Sequence, residues 1–136
     1  MIRLSVWTVH TALLYLGAGI LIGALMLAQK GMPYDATLLR LLPLHIEVVL
    51  LGWTLQLAMG IAFWILPRFS REPHYGKQRY GWIAYLLINV GVLCVGVGGW
   101  LAASPLILWA GRTLELAAVI FFLWYAWPRV KPIGRQ

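Results

Sequence analysis

The chain has 136 residues, of which 62% are hydrophobic and 11% are charged. A soluble domain carries roughly a quarter charged residues, whereas four membrane spans of about 20 residues would use most of this length and leave no room for a soluble catalytic domain. The net charge is +7, but the basic residues lie mainly between apolar runs, which favours topology and anionic-lipid contact over nucleic-acid binding.

The first two apolar runs predict two long membrane helices. The first, roughly residues 4–28, contains a GxxxG motif beginning at Gly19, which permits close helix approach without specifying the partner. After a loop with glycine and proline breakers, Asp35 is a suitable N-cap for a helix over roughly 36–67. We expect this long helix to kink at Pro43.

The last two apolar runs predict helices over roughly 80–103 and 106–127. The short Ser104–Pro105 connection makes them antiparallel neighbours. The sequence therefore predicts an all-α fold: a single transmembrane domain over residues 1–136, built as an integral membrane four-helix bundle with antiparallel, up-and-down helices.

The basic residues are distributed unequally between the two sides of this bundle. Four spans place both termini and the loop at 67–79 on one side, together with eight of the basic residues, and only two lie on the other side. The eight are Arg3, Arg68, Arg71, Lys77, Arg79, Arg129, Lys131 and Arg135, and the two are Lys30 and Arg40. This asymmetry predicts cytoplasmic termini if the host is a bacterium. We expect the chain in the cytoplasmic membrane of a bacterium or an archaeon.

Five ionisable residues fall inside the predicted spans: His10, His45, Glu47, Arg112 and Glu115. Such residues are costly in lipid and are therefore functional candidates. His10 lies near the inner end of the first helix and His45 near the outer end of the second, so the two cannot share one iron within a chain. His10 is either a packed or interfacial histidine or an alternative ligand.

His45 begins a strip along the second helix. At 100° per residue, Gly52, Gln56 and Gly60 lie within about 60° of His45. The strip is flat enough for a planar group to lie against the backbone. The alternative is a buried histidine bonded to a carbonyl, with glycines that serve helix packing.

Three of the charges predict a polar cluster between the second and fourth helices. Arg112 and Glu115 are three residues apart and share a helix face, and Glu47 lies at a comparable depth. Mutual pairing is the least costly way to keep all three in lipid. The cluster is interpreted either as a structural clasp or as a proton or heme-propionate site.

The segment from Leu39 to Trp53, with His45 inside it, continues through Gln56 and Gly60 to an Ile-Leu-Pro-Arg-Phe sequence ending at Phe69. This pattern resembles the second helix of heme-copper oxidase subunit I, especially in the cbb3-type oxidase and nitric oxide reductase branch, and small four-helix proteins like that subunit. The resemblance implies that His45 is an axial ligand of heme b. Together with the strip described above, it predicts a macrocycle against Gly52, with the other ring nitrogen of His45 held by a carbonyl or carboxylate.

The chain also departs from that family, whose subunit has many more helices. The helices that carry the second axial histidine and the copper ligands have no counterpart here, so oxygen or nitric oxide reduction by this chain alone is not expected. Glu47 stands where small relatives show a second histidine. A bis-histidine site would need His45 of a second copy in a two-fold homodimer, which a parallel arrangement permits.

Three functional hypotheses follow from these residues and from the resemblance. The first is a membrane heme b protein that transfers electrons, with a quinone or a cytochrome as redox partner, or binds a diatomic gas. The second is a non-catalytic accessory or structural subunit of a larger respiratory membrane complex. The third is a small transporter or channel that uses Glu47, Arg112 and Glu115.

Overall fold

The computed structural model describes residues 2–33, 35–69 and 74–130, and this part of the chain is helical apart from its connections. Four helices are long and apolar enough to cross a membrane. They are α1 (Arg3–Gly31), α2 (Ala36–Ile65), α3 (Gln78–Trp100) and α4 (Pro105–Ala126), and a 3₁₀ turn, Trp127–Arg129, follows α4. The predicted all-α class with four helices of membrane-spanning length is therefore confirmed, and the helix ends differ from the predicted ones by up to three residues.

Helix α2 changes its winding along its length. It begins as a 3₁₀ helix over Ala36–Leu41, becomes α-helical over Leu42–Glu47, widens to a π-helix over Val48–Leu55 and ends as an α-helix over Gln56–Ile65. The change from 3₁₀ to α comes immediately before Pro43, which sits in the first turn, where its missing N–H is not needed. Sequence periodicity contains no signal for the π-helical segment.

The predicted N-cap of α2 is present. Oδ1 of Asp35 accepts hydrogen bonds from the backbone N–H of Thr37 at 2.9 Å and from its hydroxyl at 2.7 Å. The carboxylate thereby satisfies an amide that the first turn leaves without a helical partner. The same hydrogen bonds lower the pKa of Asp35 below its ordinary value, so the residue stays ionised at neutral pH.

The extensive contacts lie between helices that are consecutive in the chain. Near the start of α1, the Ser5 hydroxyl donates to the carbonyl of Gly60 at 2.7 Å. Further along α1, Gly19 lies against Val49. As residue numbers rise along α1, the residues that they contact in α2 therefore fall.

The outward faces of the first and last helices are apolar. Large exposed side chains follow α1 and α4, among them Leu14, Ile20, Leu27, Leu106 and Trp109. Soluble proteins rarely expose apolar surface on this scale. These faces therefore suit contact with lipid or with another membrane helix. In lipid, exposed apolar side chains provide no hydrophobic driving force for α1 to pack against α4.

The end of α2 is capped by an arginine from beyond α4. Arg129 has no exposed surface, and its guanidinium donates to the carbonyls of Leu66 at 2.6 Å and Pro67 at 3.1 Å, to the carbonyl of Phe63 at 3.4 Å and to the Tyr125 hydroxyl at 2.9 Å. The cation also offsets the negative end of the helix dipole. The sequence placed Arg129 in a cytoplasmic tail; the structure shows its side chain buried at the end of α2, and its side of the membrane stays a prediction.

Candidate functional site

The face of α2 that begins at His45 packs against α1 of the same chain. A Cβ atom placed on Gly23 would lie 2.9 Å from Cε1 of His45, so the imidazole fills the space that this glycine leaves. A Cβ atom on Gly52 would lie 2.7 Å from Cγ of Tyr15, so the tyrosine ring covers Gly52. The GxxxG motif of α1 thus serves contact with α2.

The later residues of the strip, Gln56 and Gly60, also pack against α1. Gln56 is completely buried and its Nε2 donates to the carbonyl of Thr8 at 3.4 Å. A Cβ atom on Gly60 would lie 2.9 Å from Cγ2 of Val9. His45, Gly52, Gln56 and Gly60 therefore lie on one face of α2, as the sequence indicates, and each of them contacts α1.

This packing does not fit a heme macrocycle lying against Gly52. The Tyr15 ring already occupies the space next to that glycine, and a tetrapyrrole there would require α1 to separate from α2. The carbonyl or carboxylate expected to hold a ring nitrogen of His45 is also not seen at Nδ1. This atom is buried and makes no hydrogen bond within the described ranges. Heme binding at His45 stays a prediction, and its expected location against Gly52 is not compatible with this arrangement.

His10 lies far from His45. It is an exposed residue on α1, whereas His45 lies beside Gly23, thirteen residues further along the same helix. At 1.5 Å per residue this is about 20 Å along the helix axis, which is too far for both histidines to bind one metal. Residues 2–33, 35–69 and 74–130 contain no group of three or more His, Cys, Asp or Glu side chains that could hold a metal ion.

Glu47, Arg112 and Glu115 form the ion cluster that the sequence predicts. Nη1 and Nη2 of Arg112 donate to the two carboxylate oxygens of Glu47 at 2.9 and 2.8 Å, and Nη1 also donates to Oε2 of Glu115 at 2.8 Å. The two carboxylates are almost completely buried, whereas the Arg112 side chain is 52% exposed. The cluster joins α2 to α4, and bidentate geometry of this kind gives strong, directional pairing.

Two glycines of α3, Gly91 and Gly96, adjoin the side chains of the two glutamates. A Cβ atom on Gly91 would lie 2.6 Å from Cγ of Glu115 and 3.1 Å from the carbonyl oxygen of Gly111. A Cβ atom on Gly96 would lie 3.5 Å from Cβ of Glu47. Sequence reasoning did not assign these glycines to the site. Their presence within an apolar span is a signal for close helix approach, but it does not identify the side chain that approaches.

Glu115 lies near the middle of its membrane helix. It is ten residues after Pro105 and eleven residues before Ala126, the two ends of α4. Ten residues correspond to about 15 Å of helix, which is half the thickness of a typical hydrocarbon core. The carboxylate is therefore at a depth where an unpaired charge is most costly.

No family model, curated protein or solved structure matches this chain. The resemblance to oxidase subunit I around His45 is still an expectation based on the residue pattern. The structure therefore contains two candidate functional features. One is the face of α2 that begins at His45, which α1 covers. The other is the ion cluster of one arginine and two buried carboxylates.

Proposed function

We propose that this protein is a non-catalytic integral membrane subunit of a larger respiratory complex. The resemblance of the segment around His45 to oxidase subunit I supports the respiratory assignment. The packing of the same segment supports a structural role, because α1 covers the face on which a cofactor would otherwise lie. The contact between Tyr15 and Gly52 is the observation on which this proposal depends most.

The exposed surfaces are compatible with assembly with other membrane helices. Apolar side chains such as Leu14, Leu27 and Trp109 face outwards from α1 and α4. In lipid, apolar faces of this kind associate through close packing and polar contacts rather than through the hydrophobic effect. The Arg112 side chain, half exposed on α4, has hydrogen-bond donors beyond those that Glu47 and Glu115 use, and an acceptor on a neighbouring subunit would satisfy them.

A second candidate is the heme b protein, with His45 as an axial ligand and a homodimer supplying the sixth ligand. One observation favours it: Nδ1 of His45 is a buried polar atom without a hydrogen-bond partner among the described residues, and such atoms in native proteins call for an explanation. The His45 ring is only half buried. A neutral imidazole of this kind is a suitable iron ligand.

The proposed topology is an antiparallel bundle with both termini in the cytoplasm of a bacterial or archaeal cell. Two kinds of observation support it. Residues early in α1 contact residues late in α2, and residues later in α1 contact earlier ones in α2. Eight basic residues lie on the side of the termini and two on the other side. The burial of Arg129 removes one residue from the solvated set and leaves the asymmetry in the same direction.

One preparation distinguishes the two functional candidates. The tagged chain is isolated from its native membrane in mild detergent, its heme content is measured from reduced-minus-oxidised spectra, and its complexes are separated on a native gel and identified by mass spectrometry. We expect the chain to co-migrate with a heme-copper oxidase subunit I, and we expect the chain produced alone in a heterologous host to contain no heme.

The variant His45→Ala, with exposed His10→Ala as its control, decides the alternative. Stoichiometric heme in the chain produced alone, lost in His45→Ala and retained in His10→Ala, would replace the subunit proposal with the heme protein. A colourless chain that migrates alone in its native membrane would exclude both candidates.

A further inference from the structure

The ion cluster contains more acidic than basic groups. Two carboxylates, Glu47 and Glu115, share the single guanidinium of Arg112. With both carboxylates ionised, the cluster would have a net charge of −1 at the depth of the bilayer where charge is least favourable. Charge balance within the cluster therefore requires one additional positive charge.

The hydrogen bonds identify the oxygen that lacks a donor. Both oxygens of Glu47 accept from Arg112, and Oε2 of Glu115 accepts from the same Nη1 atom. Oε1 of Glu115 is buried and has no hydrogen-bond partner in the described part of the chain. An ionised carboxylate oxygen without a donor is much more costly in a low-dielectric site than a protonated one.

The two carboxylates are also close to each other. Because Oε1 of Glu47 and Oε2 of Glu115 both contact Nη1 of Arg112, at 2.9 and 2.8 Å, they are at most 5.7 Å apart. Like charges at such a distance oppose simultaneous ionisation. Glu47 already uses both of its oxygens, so Glu115 is the carboxylate that is better suited to hold a proton.

The neighbouring helices contribute no second cation within the described residues. Glu115 pairs with Arg112 of α4 itself and lies near Glu47 of α2, and Cys94 of α3 lies beside Gly111, one turn before Glu115 on α4. From α1, Tyr15 packs against the apolar cluster that contains Ala118, one turn further along α4. Tyrosine and cysteine are neutral at physiological pH and do not compensate the excess negative charge.

We propose that Glu115 is a binding site for one exchangeable proton at the middle of the membrane. A proton taken from water forms an O–H bond at Oε1, and the cluster then consists of ionised Glu47, cationic Arg112 and neutral Glu115. Its net charge is zero.

Infrared spectroscopy of the full chain in lipid vesicles tests this directly. A protonated carboxyl group gives a carbonyl stretching band that is separate from the carboxylate bands and shifts in D₂O. At neutral pH we expect one such band, because the other described carboxyl group outside the cluster, Asp35, is exposed and ionised. Absence of the band in the wild-type chain at neutral pH would overturn the proposal without any variant.

Two matched variants assign the proton. In Glu115→Asp we expect the band to shift, since aspartic and glutamic acids differ in carbonyl frequency, whereas in Glu47→Asp it stays in place. A band that shifts only in Glu47→Asp would place the proton on the other carboxylate and overturn the assignment.

Removal of a charge provides an independent check. In Glu115→Gln we expect the band to disappear, since Glu47 and Arg112 then balance each other. In Asp35→Asn, a control outside the cluster, we expect no change. Helix content measured by circular dichroism identifies folded variants, and persistence of the band in folded Glu115→Gln would contradict the proposal.

Discussion

Replacement of the buried Arg129 by methionine tests how the end of α2 is stabilised. Methionine has a similar length and keeps the apolar part of the contact, but it removes every donor of the guanidinium. Three backbone carbonyls, those of Phe63, Leu66 and Pro67, then lose their hydrogen bonds. The Tyr125 hydroxyl also loses the hydrogen bond that it accepts from Arg129.

The size of the effect follows from these contacts. A buried acceptor that loses its donor costs about 1–3 kcal/mol. The hydrogen bonds to Phe63 are buried and those to Leu66 and Pro67 are part-buried, so the last two should cost less. The removal of a cation that was fully desolvated returns part of this energy. We therefore expect Arg129→Met to lower the free energy of unfolding by about 3 kcal/mol, near the lower limit of the sum. Arg129→Lys keeps the charge but not the planar fork of donors, so we expect a smaller loss.

The assay is unfolding in mixed detergent micelles, followed by circular dichroism. Arg79→Met is the matched control, because Arg79 is exposed and contacts Tyr80 next to it. Surface substitutions of this kind usually change stability by less than about 0.5 kcal/mol. Equal stabilities of Arg129→Met and Arg79→Met would refute the capping role of Arg129.

Three further predictions concern other parts of the molecule. Gly91→Ala places a methyl group 2.6 Å from Cγ of Glu115 and should destabilise the α3–α4 contact by about 1–3 kcal/mol, whereas Gly17→Ala, with nothing within 4 Å, should be neutral or stabilising in micelle unfolding. Asp35→Ala should increase hydrogen exchange at the Thr37 amide, and the wild-type protection should be present at neutral pH and disappear as the pH falls through the lowered pKa of Asp35. A green fluorescent protein fused to the C-terminus should fluoresce and an alkaline phosphatase fused there should be inactive, and the reverse pattern would contradict the topology.

The amino-acid sequence by itself determined the features that depend on local chemistry or on the cost of burial in lipid. The four spans follow from the lengths of the apolar runs. The cap at Asp35 follows from a short acidic side chain before a helix start. The pairing of Arg112 follows because a guanidinium within a span needs acidic partners, and only Glu47 and Glu115 lie inside the predicted spans.

Only the tertiary structure decided which helix covers each face. The positions of His45 and Gly52 on one side of α2 can be derived from helical periodicity, but their contacts with Gly23 and Tyr15 cannot. Lipid tails and apolar side chains are chemically alike, so hydropathy does not distinguish a face that meets lipid from one that meets another helix. For the same reason the burial of Arg129 at the end of α2 depends on how α4 docks, since its acceptors are backbone carbonyls that every sequence supplies.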